Sequence, residues 1–256
     1  MPTLSETNLF AGGFVPEEFL ACNGAKYYLG ASSNHLQQLL GARYRRPLLP
    51  GSNTNPSQCN LPELKADTLM MGHGKRDMQF ILHEGVGPME GFAGMIKMYA
   101  GEESIYTEGW LICNGQEIAI ADYPALFEVI GAKYGGDGTS TFALPKLNGS
   151  SLSPIGKAPK YFICTSTPDD YYEYSMISLV TLFAGDTLPE KWMFCDGQTL
   201  QLMQNMPLYS IIGTKYGGDG RQTICLPNMS ADAINEGTVA PKFIICTEGQ
   251  FVSEHY

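Results

Sequence analysis

The phrase IGAKYGGDG occupies Ile130–Gly138 and returns at Ile212–Gly220 as IGTKYGGDG, with eight of nine letters unchanged. Gly-Gly-Asp-Gly describes a backbone path through successive positive φ angles, which admits little besides Gly, Asn and Asp. A duplicated unit keeps such a phrase because the path requires it. The duplication runs well beyond the loop: Cys113 and Cys195, Tyr134 and Tyr216, Pro145 and Pro227, and Cys164 and Cys246 are each 82 residues apart. Around them, EGWLICNGQEI (Glu108–Ile118) matches EKWMFCDGQTL (Glu190–Leu200), and APKYFICT (Ala158–Thr165) matches APKFIICT (Ala240–Thr247).

A more diverged copy precedes these two. LFAGGFVPEEFLACNGAKY (Leu9–Tyr27) aligns with LFAGDTLPEKWMFCDGQTL (Leu182–Leu200), which places Cys22 on Cys113 and Cys195. LLGARY (Leu39–Tyr44) echoes VIGAKY (Val129–Tyr134), and NLPEL (Asn60–Leu64) echoes ALPKL (Ala143–Leu147). MQFIL (Met78–Leu82) echoes KYFIC, setting Leu82 opposite Cys164. The chain therefore divides into three tandem units, residues 1–90, 91–172 and 173–256. The first departs in one loop: Tyr44 to Pro62 spans 18 residues where Tyr134 to Pro145 and Tyr216 to Pro227 span 11. A longer surface loop costs little to close and is a place where a copy specialises. The joints EGVGPMEGFAG (Glu84–Gly94) and STPDDYYEYS (Ser166–Ser175) are short enough to keep neighbouring units in contact.

Each unit reads as a small α+β fold. WMFC (Trp192–Cys195) is apolar on both faces, Asp196–Gly197 suits a type I′ turn, and QTLQL alternates, so a β-hairpin is expected there. Asn114–Gly115 and Asn23–Gly24 repeat the turn. NMPLYSIIG (Asn205–Gly213) offers an Asn as cap, an early Pro and a closing Gly, with Leu208, Ile211 and Ile212 apolar. DYPALFEVIG (Asp122–Gly131) predicts the same short helix with Leu126, Phe127 and Ile130 inward. The Gly-rich loop and further strands, TFALP or TICLP and then KYFIC or KFIIC, complete the unit.

Composition narrows the function. The 256 residues are 44% hydrophobic and carry a formal net charge of −10, so a folded protein is expected and a nucleic acid or anionic bilayer would be repelled. MPTLSETNLF lacks the features of a secretory signal, and no apolar run approaches the length of a membrane span, so a soluble chain without membrane insertion is expected.

The order FAG, W-x-x-C-[DN]-G-Q, ALF-x-x-IG-x-KYGGDG, T-F-x-LP-x-L resembles the phage tail collar family, which includes the microcystin-dependent proteins of bacteria. The likeness covers residues 95–247 and, more weakly, 9–83. It implies a small domain near the distal parts of tail fibres, which commonly assemble as trimers, in a structural or adhesive role without catalytic residues. Unlike a long fibre protein, this chain has no shaft and consists almost wholly of collar-like units, which favours a compact fitting. If the ancestral domain trimerises, three covalently joined copies would form a pseudo-threefold ring in one chain, free of the association entropy that separate subunits must overcome. The other arrangement is three beads in a row.

The chemical candidates are few. Gly135, Gly136, Asp137 and Gly138, and Gly217, Gly218, Asp219 and Gly220, are expected to form structural turns: no Gly-Lys-Ser/Thr follows for phosphate, and one carboxylate per loop is too few for calcium. Cys113–Cys164 and Cys195–Cys246 are possible disulfides, but the first unit folds without a partner for Cys22, so core-filling thiols are expected. No CxxC, HExxH or G-x-S-x-G is present, and no metal, cofactor or catalytic residue is expected. His35, His73, His83 and His255 are expected as surface or loop residues. Arg43–Tyr44, Lys133–Tyr134 and Lys215–Tyr216 set a cation beside an aromatic in all three units. Such pairs would grip a sugar or phosphate by stacking and charge, or each Tyr packs beneath its loop while the cation meets water. Trp110, Trp192 and their counterpart Phe19 are expected in the core.

The expected function is a non-enzymatic component of a phage tail or contractile injection system. Its partners would be fibre, baseplate or other tail proteins and a host-surface glycan, and its place the virion tail. A secreted or surface-displayed interaction protein of a cellular organism is the alternative, with an extracellular or cell-surface location. A glycan-degrading tail enzyme would need two carboxylates across a cleft, whereas Glu102, Glu103, Asp169 and Asp170 cluster in loops.

Overall fold

The computed structural model describes residues 6–11, 14–15, 19–23, 26–28, 58–60, 64, 69–71, 79–83, 91–99, 109–148, 160–167 and 175–251. In chain order these form β1 (Glu6–Phe10), β2 (Phe19–Ala21), β3 (Lys26–Tyr28), β4 (Gln58–Asn60), β5 (Gln79–His83), β6 (Met95–Tyr99), β7 (Trp110–Ile112) and β8 (Glu117–Ala119). Then follow α1 (Pro124–Ile130), β9 (Thr141–Ala143), β10 (Lys160–Cys164), β11 (Leu179–Phe183), β12 (Trp192–Phe194), β13 (Thr199–Gln201), α2 (Met206–Ile212), β14 (Thr223–Cys225) and β15 (Lys242–Cys246). Arg43, Tyr44, His35, His73 and His255 lie outside the described residues.

Nine of the described strands share one sheet. Its outer parts repeat: β5 lies between β1 and β2, β10 between β6 and β7, and β15 between β11 and β12, all antiparallel. Its centre is made by β1, β6 and β11 pairing with one another. The N-terminal half of β1 meets the C-terminal half of β6, as Glu6 opposes Tyr99 and Thr7 opposes Met98. The N-terminal half of β6 meets the C-terminal half of β11 through Met95–Phe183 and Ile96–Leu182. The N-terminal half of β11 returns to β1 through Leu179–Phe10 and Val180–Leu9. The three pairings close a cycle in identical register, and the middle residues Asn8, Lys97 and Thr181 sit where each strand passes from one partner to the next. All three are buried, and Thr181 Oγ1 donates to the Ile96 carbonyl at 2.8 Å.

Both faces of this sheet are covered, which is why β6 and β11 are buried at every position. Phe92 packs edge-on to Phe183 and Trp192 at 5.7 and 5.5 Å, joining a residue that precedes β6 to two from the β11–β12 segment. Trp110 and Trp192 are both buried.

Four expectations need correction. The hairpin across Cys195-Asp196-Gly197 does not form: β12 pairs with β15, whereas β13 pairs with β14, and β7 and β8 part in the same way. A type I′ turn needs positive φ at both central residues. Gly115 and Gly197 have it, at 82° and 80°, but Asn114 and Asp196 do not. Their side chains instead accept from the Gln116 and Gln198 N–H groups, an Asx turn that carries the chain out of the sheet. The helices stand where the sequence puts them, yet Asn205 does not cap α2; its Nδ2 donates back to the Gln201 carbonyl. Phe127 is only partly buried, against Phe142, whereas Leu126 and Ile130 are fully inward. Finally, the residue that takes the place of Cys164 and Cys246 in the first segment is His83, since Phe19 opposes His83 as Trp110 opposes Cys164 and Trp192 opposes Cys246. The one-letter slip arose because Ile–Leu and Phe–Ile read alike in an apolar strand.

Cys22, Cys113, Cys164, Cys195, Cys225 and Cys246 are free thiols, all of them buried except Cys225. Cys164 and Cys246 direct Sγ at the Ser166 and Glu248 carbonyls, at 3.1 and 3.2 Å.

Candidate functional site

The repeated Gly-rich phrase begins where a helix stops. Gly131 and Gly213 end α1 and α2 at φ 55° and 57°, turning Lys133–Tyr134 and Lys215–Tyr216 back across the sheet. In the loop beyond, Gly135, Gly136 and Gly138 have φ of 127°, 87° and 66°, and Gly217, Gly218 and Gly220 follow at 120°, 93° and 65°. A Cβ on Gly136 would lie 2.5 Å from the Phe142 backbone, and one on Gly218 2.5 Å from the Thr223 carbonyl oxygen. Asp137 Oδ1 accepts from the N–H groups of Thr139, Ser140 and Thr141, and Asp219 Oδ1 from Arg221, Gln222 and Thr223. These bonds hold both carboxyls well below the usual carboxylate range, led by the Ser140 hydroxyl for Asp137 and the Gln222 N–H for Asp219. Each carboxylate is thus used by its own loop.

The tyrosines reach a different segment. Tyr134 Oη donates to the Ala184 carbonyl at 2.9 Å, and Tyr216 Oη donates to the Ala11 carbonyl at 3.0 Å. Ala184 and Ala11 are the alanines of the repeated Phe-Ala-Gly, directly after β11 and β1. Their N–H groups donate to the carbonyls of Gly94 and Ser178, the residues that precede β6 and β11. Each alanine is therefore held through both its N–H and its carbonyl by one other segment, Ala184 by Gly94 and Tyr134, and Ala11 by Ser178 and Tyr216. Gly94 and Ser178 both have positive φ, 84° and 73°. Tyr216 is 8% exposed. Burial, with the nearby Asp186 carboxylate, pushes the Tyr134 phenol up, keeping it a donor at ordinary pH.

Lys133 adds a charge to its seam. Its ammonium lies 2.9 Å from Asp186 and 5.6 Å from the centre of the Tyr134 ring, and Lys242 meets the same carboxylate at 3.3 Å. These partners, the Lys133 hydrogen bond first, hold Asp186 below the usual carboxylate range. In the Phe-Ala-Gly alignment Gly13 stands where Asp186 does, so the sequence places no acid for Lys215 at the matching position.

A second set of contacts follows the same pattern. Asn148 N–H donates to the Ile234 carbonyl and Glu236 N–H to the Lys146 carbonyl; in the matching places Ser230 N–H donates to Leu69 and Met71 N–H to Asn228. Asn148 Nδ2 also donates to Glu236 Oε1 at 2.7 Å, with Lys146 at 3.6 Å, and the Asn148 bond leads in lowering the Glu236 pKa. Sequence reasoning singled out the lysines and tyrosines but not Ala11, Ala184, Asp186 or Glu236. The repeated Phe-Ala-Gly is the signal in the sequence that marks the two alanines.

Among the described residues no group of three or more His, Cys, Asp or Glu side chains is placed to hold a metal ion. No described helix is long and apolar enough to cross a membrane.

The family model of the phage tail collar domain matches this chain twice, over residues 94–152 and 179–234. Both matches include a Lys-Tyr-Gly-Gly-Asp-Gly loop and the helix before it. Comparison with curated proteins finds no match, and comparison with solved structures finds none. The collar domain is a structural domain of phage tails, so the matches point to a structural role related to tail fibres, among other tail proteins of a virion.

Proposed function

We propose that this chain is a non-enzymatic fitting of a phage tail or related contractile injection system, in which three collar-type units close a pseudo-threefold ring on one chain. The units are residues 1–90, 91–172 and 173–256, the first being a diverged copy with an enlarged loop. The ring joins or caps a tail fibre or the baseplate and presents a surface to the host.

The observation that supports this reading most is the cyclic exchange of strand halves among β1, β6 and β11. Each strand gives its N-terminal half to one neighbour and its C-terminal half to the other, so no central edge is left to recruit another chain. Beads in a row would keep separate sheets. Tethering three units removes most of the rotational and translational cost that three free chains meet on association. The tyrosine contacts act as the fasteners of this ring. Contact with a host sugar through the lysine–tyrosine pairs must then use the cations and ring edges, because the hydroxyls of Tyr134 and Tyr216 are committed to main-chain carbonyls. A fitting of this kind unites a threefold partner on one side with units of unequal sequence on the other.

The test is immunogold electron microscopy with an antibody to this chain on particles from the producing culture. Label at the tail or baseplate is expected. Label confined to cell surfaces, with bare tails, would overturn the assignment.

A further inference from the structure

Thr7, Leu9, Ile96, Met98, Val180 and Leu182 alternate with the mid-strand residues and share one face where β1, β6 and β11 meet. On that face lies a cavity of about 20 Å³, walled by these strands and by three aromatic side chains. The aromatics occupy matching places in the register: Phe80 opposes Leu9, Tyr161 opposes Met98 and Phe243 opposes Leu182. Two are phenylalanine. Tyr161 adds a hydroxyl that is buried and has no hydrogen-bond partner among the described residues. A hydroxyl left dry in such surroundings is costly, and a polar cavity above about 10–15 Å³ accepts one water. Thr7, 2% exposed, contributes the other side-chain hydroxyl of the same face to the cavity wall.

We propose that this central cavity is a binding site for a single water molecule held by Tyr161 Oη. A volume of about 20 Å³ accommodates one water. The water satisfies the hydroxyl that distinguishes Tyr161 from Phe80 and Phe243, and it makes the meeting point of the three strands a hydrated one. The site stands on the cavity and the orphan hydroxyl alone, so it holds whether or not the chain serves in a tail.

Oxygen-17 magnetic relaxation dispersion on the full chain and on Tyr161→Phe tests it. Phenylalanine stands at both matching positions, so the variant retains the fit of the wall. One long-lived water fewer in the variant is expected; an unchanged number overturns the proposal. A measurement on the unmodified chain guards against a folding defect: a water-selective nuclear Overhauser effect to the Tyr161 ring protons is expected, and its absence overturns the site.

Discussion

Tyr216 donates its hydroxyl to the main-chain carbonyl of Ala11 at 3.0 Å, across 205 residues of sequence. Tyr134 makes the same bond to Ala184, 50 residues away. Each bond ties a Gly-rich loop to the strand end of another segment. Tyr216→Phe removes one donor and leaves a buried carbonyl short of a partner, which costs about 1–3 kcal/mol. Tyr134, less buried and seconded by Lys133, should lose about 1 kcal/mol. Urea unfolding of both variants checks this; a Tyr216→Phe protein as stable as the parent contradicts it.

The glycines divide by what surrounds them. Gly218→Ala drives a Cβ into the Thr223 backbone at a φ of 93°, whereas Gly213→Ala meets nothing within 4 Å at 57°. The first substitution adds a backbone clash to a positive φ and should cost about 3 kcal/mol or more; the second carries only the penalty of a φ/ψ pair that essentially only glycine adopts, about 1–3 kcal/mol. Gly136→Ala and Gly131→Ala should reproduce the contrast. Equal losses in thermal unfolding within either pair would contradict it.

Acid should loosen the seam between the second and third segments. The carboxyls of Asp186 and Glu236 are held below their ordinary values by Lys133 and Asn148, so their folded-state pKa lies below the unfolded one. Stability from such a group is present above the unfolded value, about 4, and is lost as pH falls through the folded value. Melting temperature should therefore drop on acidification below about pH 4, with a shallower drop in a variant carrying Asp186→Asn and Glu236→Gln. A variant that keeps the parent's full acid sensitivity would assign it elsewhere.

Thiol labelling should follow burial. Desolvation raises the Cys22, Cys113 and Cys195 thiols and pushes Cys246 up to about 12, while Cys225 is only half-buried. A thiol-specific reagent at neutral pH should modify Cys225 ahead of Cys22, Cys113, Cys164, Cys195 and Cys246. Early modification of Cys113, read by peptide mass spectrometry, would contradict the packing.

The repeat made much of this legible. Glycines that demand positive φ cannot drift, so Gly131 and Gly213, and the loops that follow them, could be placed from letters alone. The helices were legible for the same reason, with a proline near the start and a glycine at the stop. The strand partners were not. Asp196–Gly197 carries the letters of a tight hairpin, and only the φ of Asp196 and its bond to Gln198 show that the chain leaves the sheet there. The lysine–tyrosine pairs were visible as a pattern, but their destinations at Ala11, Ala184 and Asp186 depend on contacts between distant segments. No local periodicity encodes those. Arg43 and Tyr44, the first-segment pair, lie outside the described residues.

The proposed ring rests on β1, β6 and β11 pairing with one another in a closed cycle within one chain. Backbone nuclear Overhauser effects in a monomeric, isotope-labelled sample test it most directly. Contacts joining Thr7 to Met98, Ile96 to Leu182 and Leu9 to Val180 in the same molecule are expected. Two of these contacts without the third, or all three only between different chains, would contradict the closed ring.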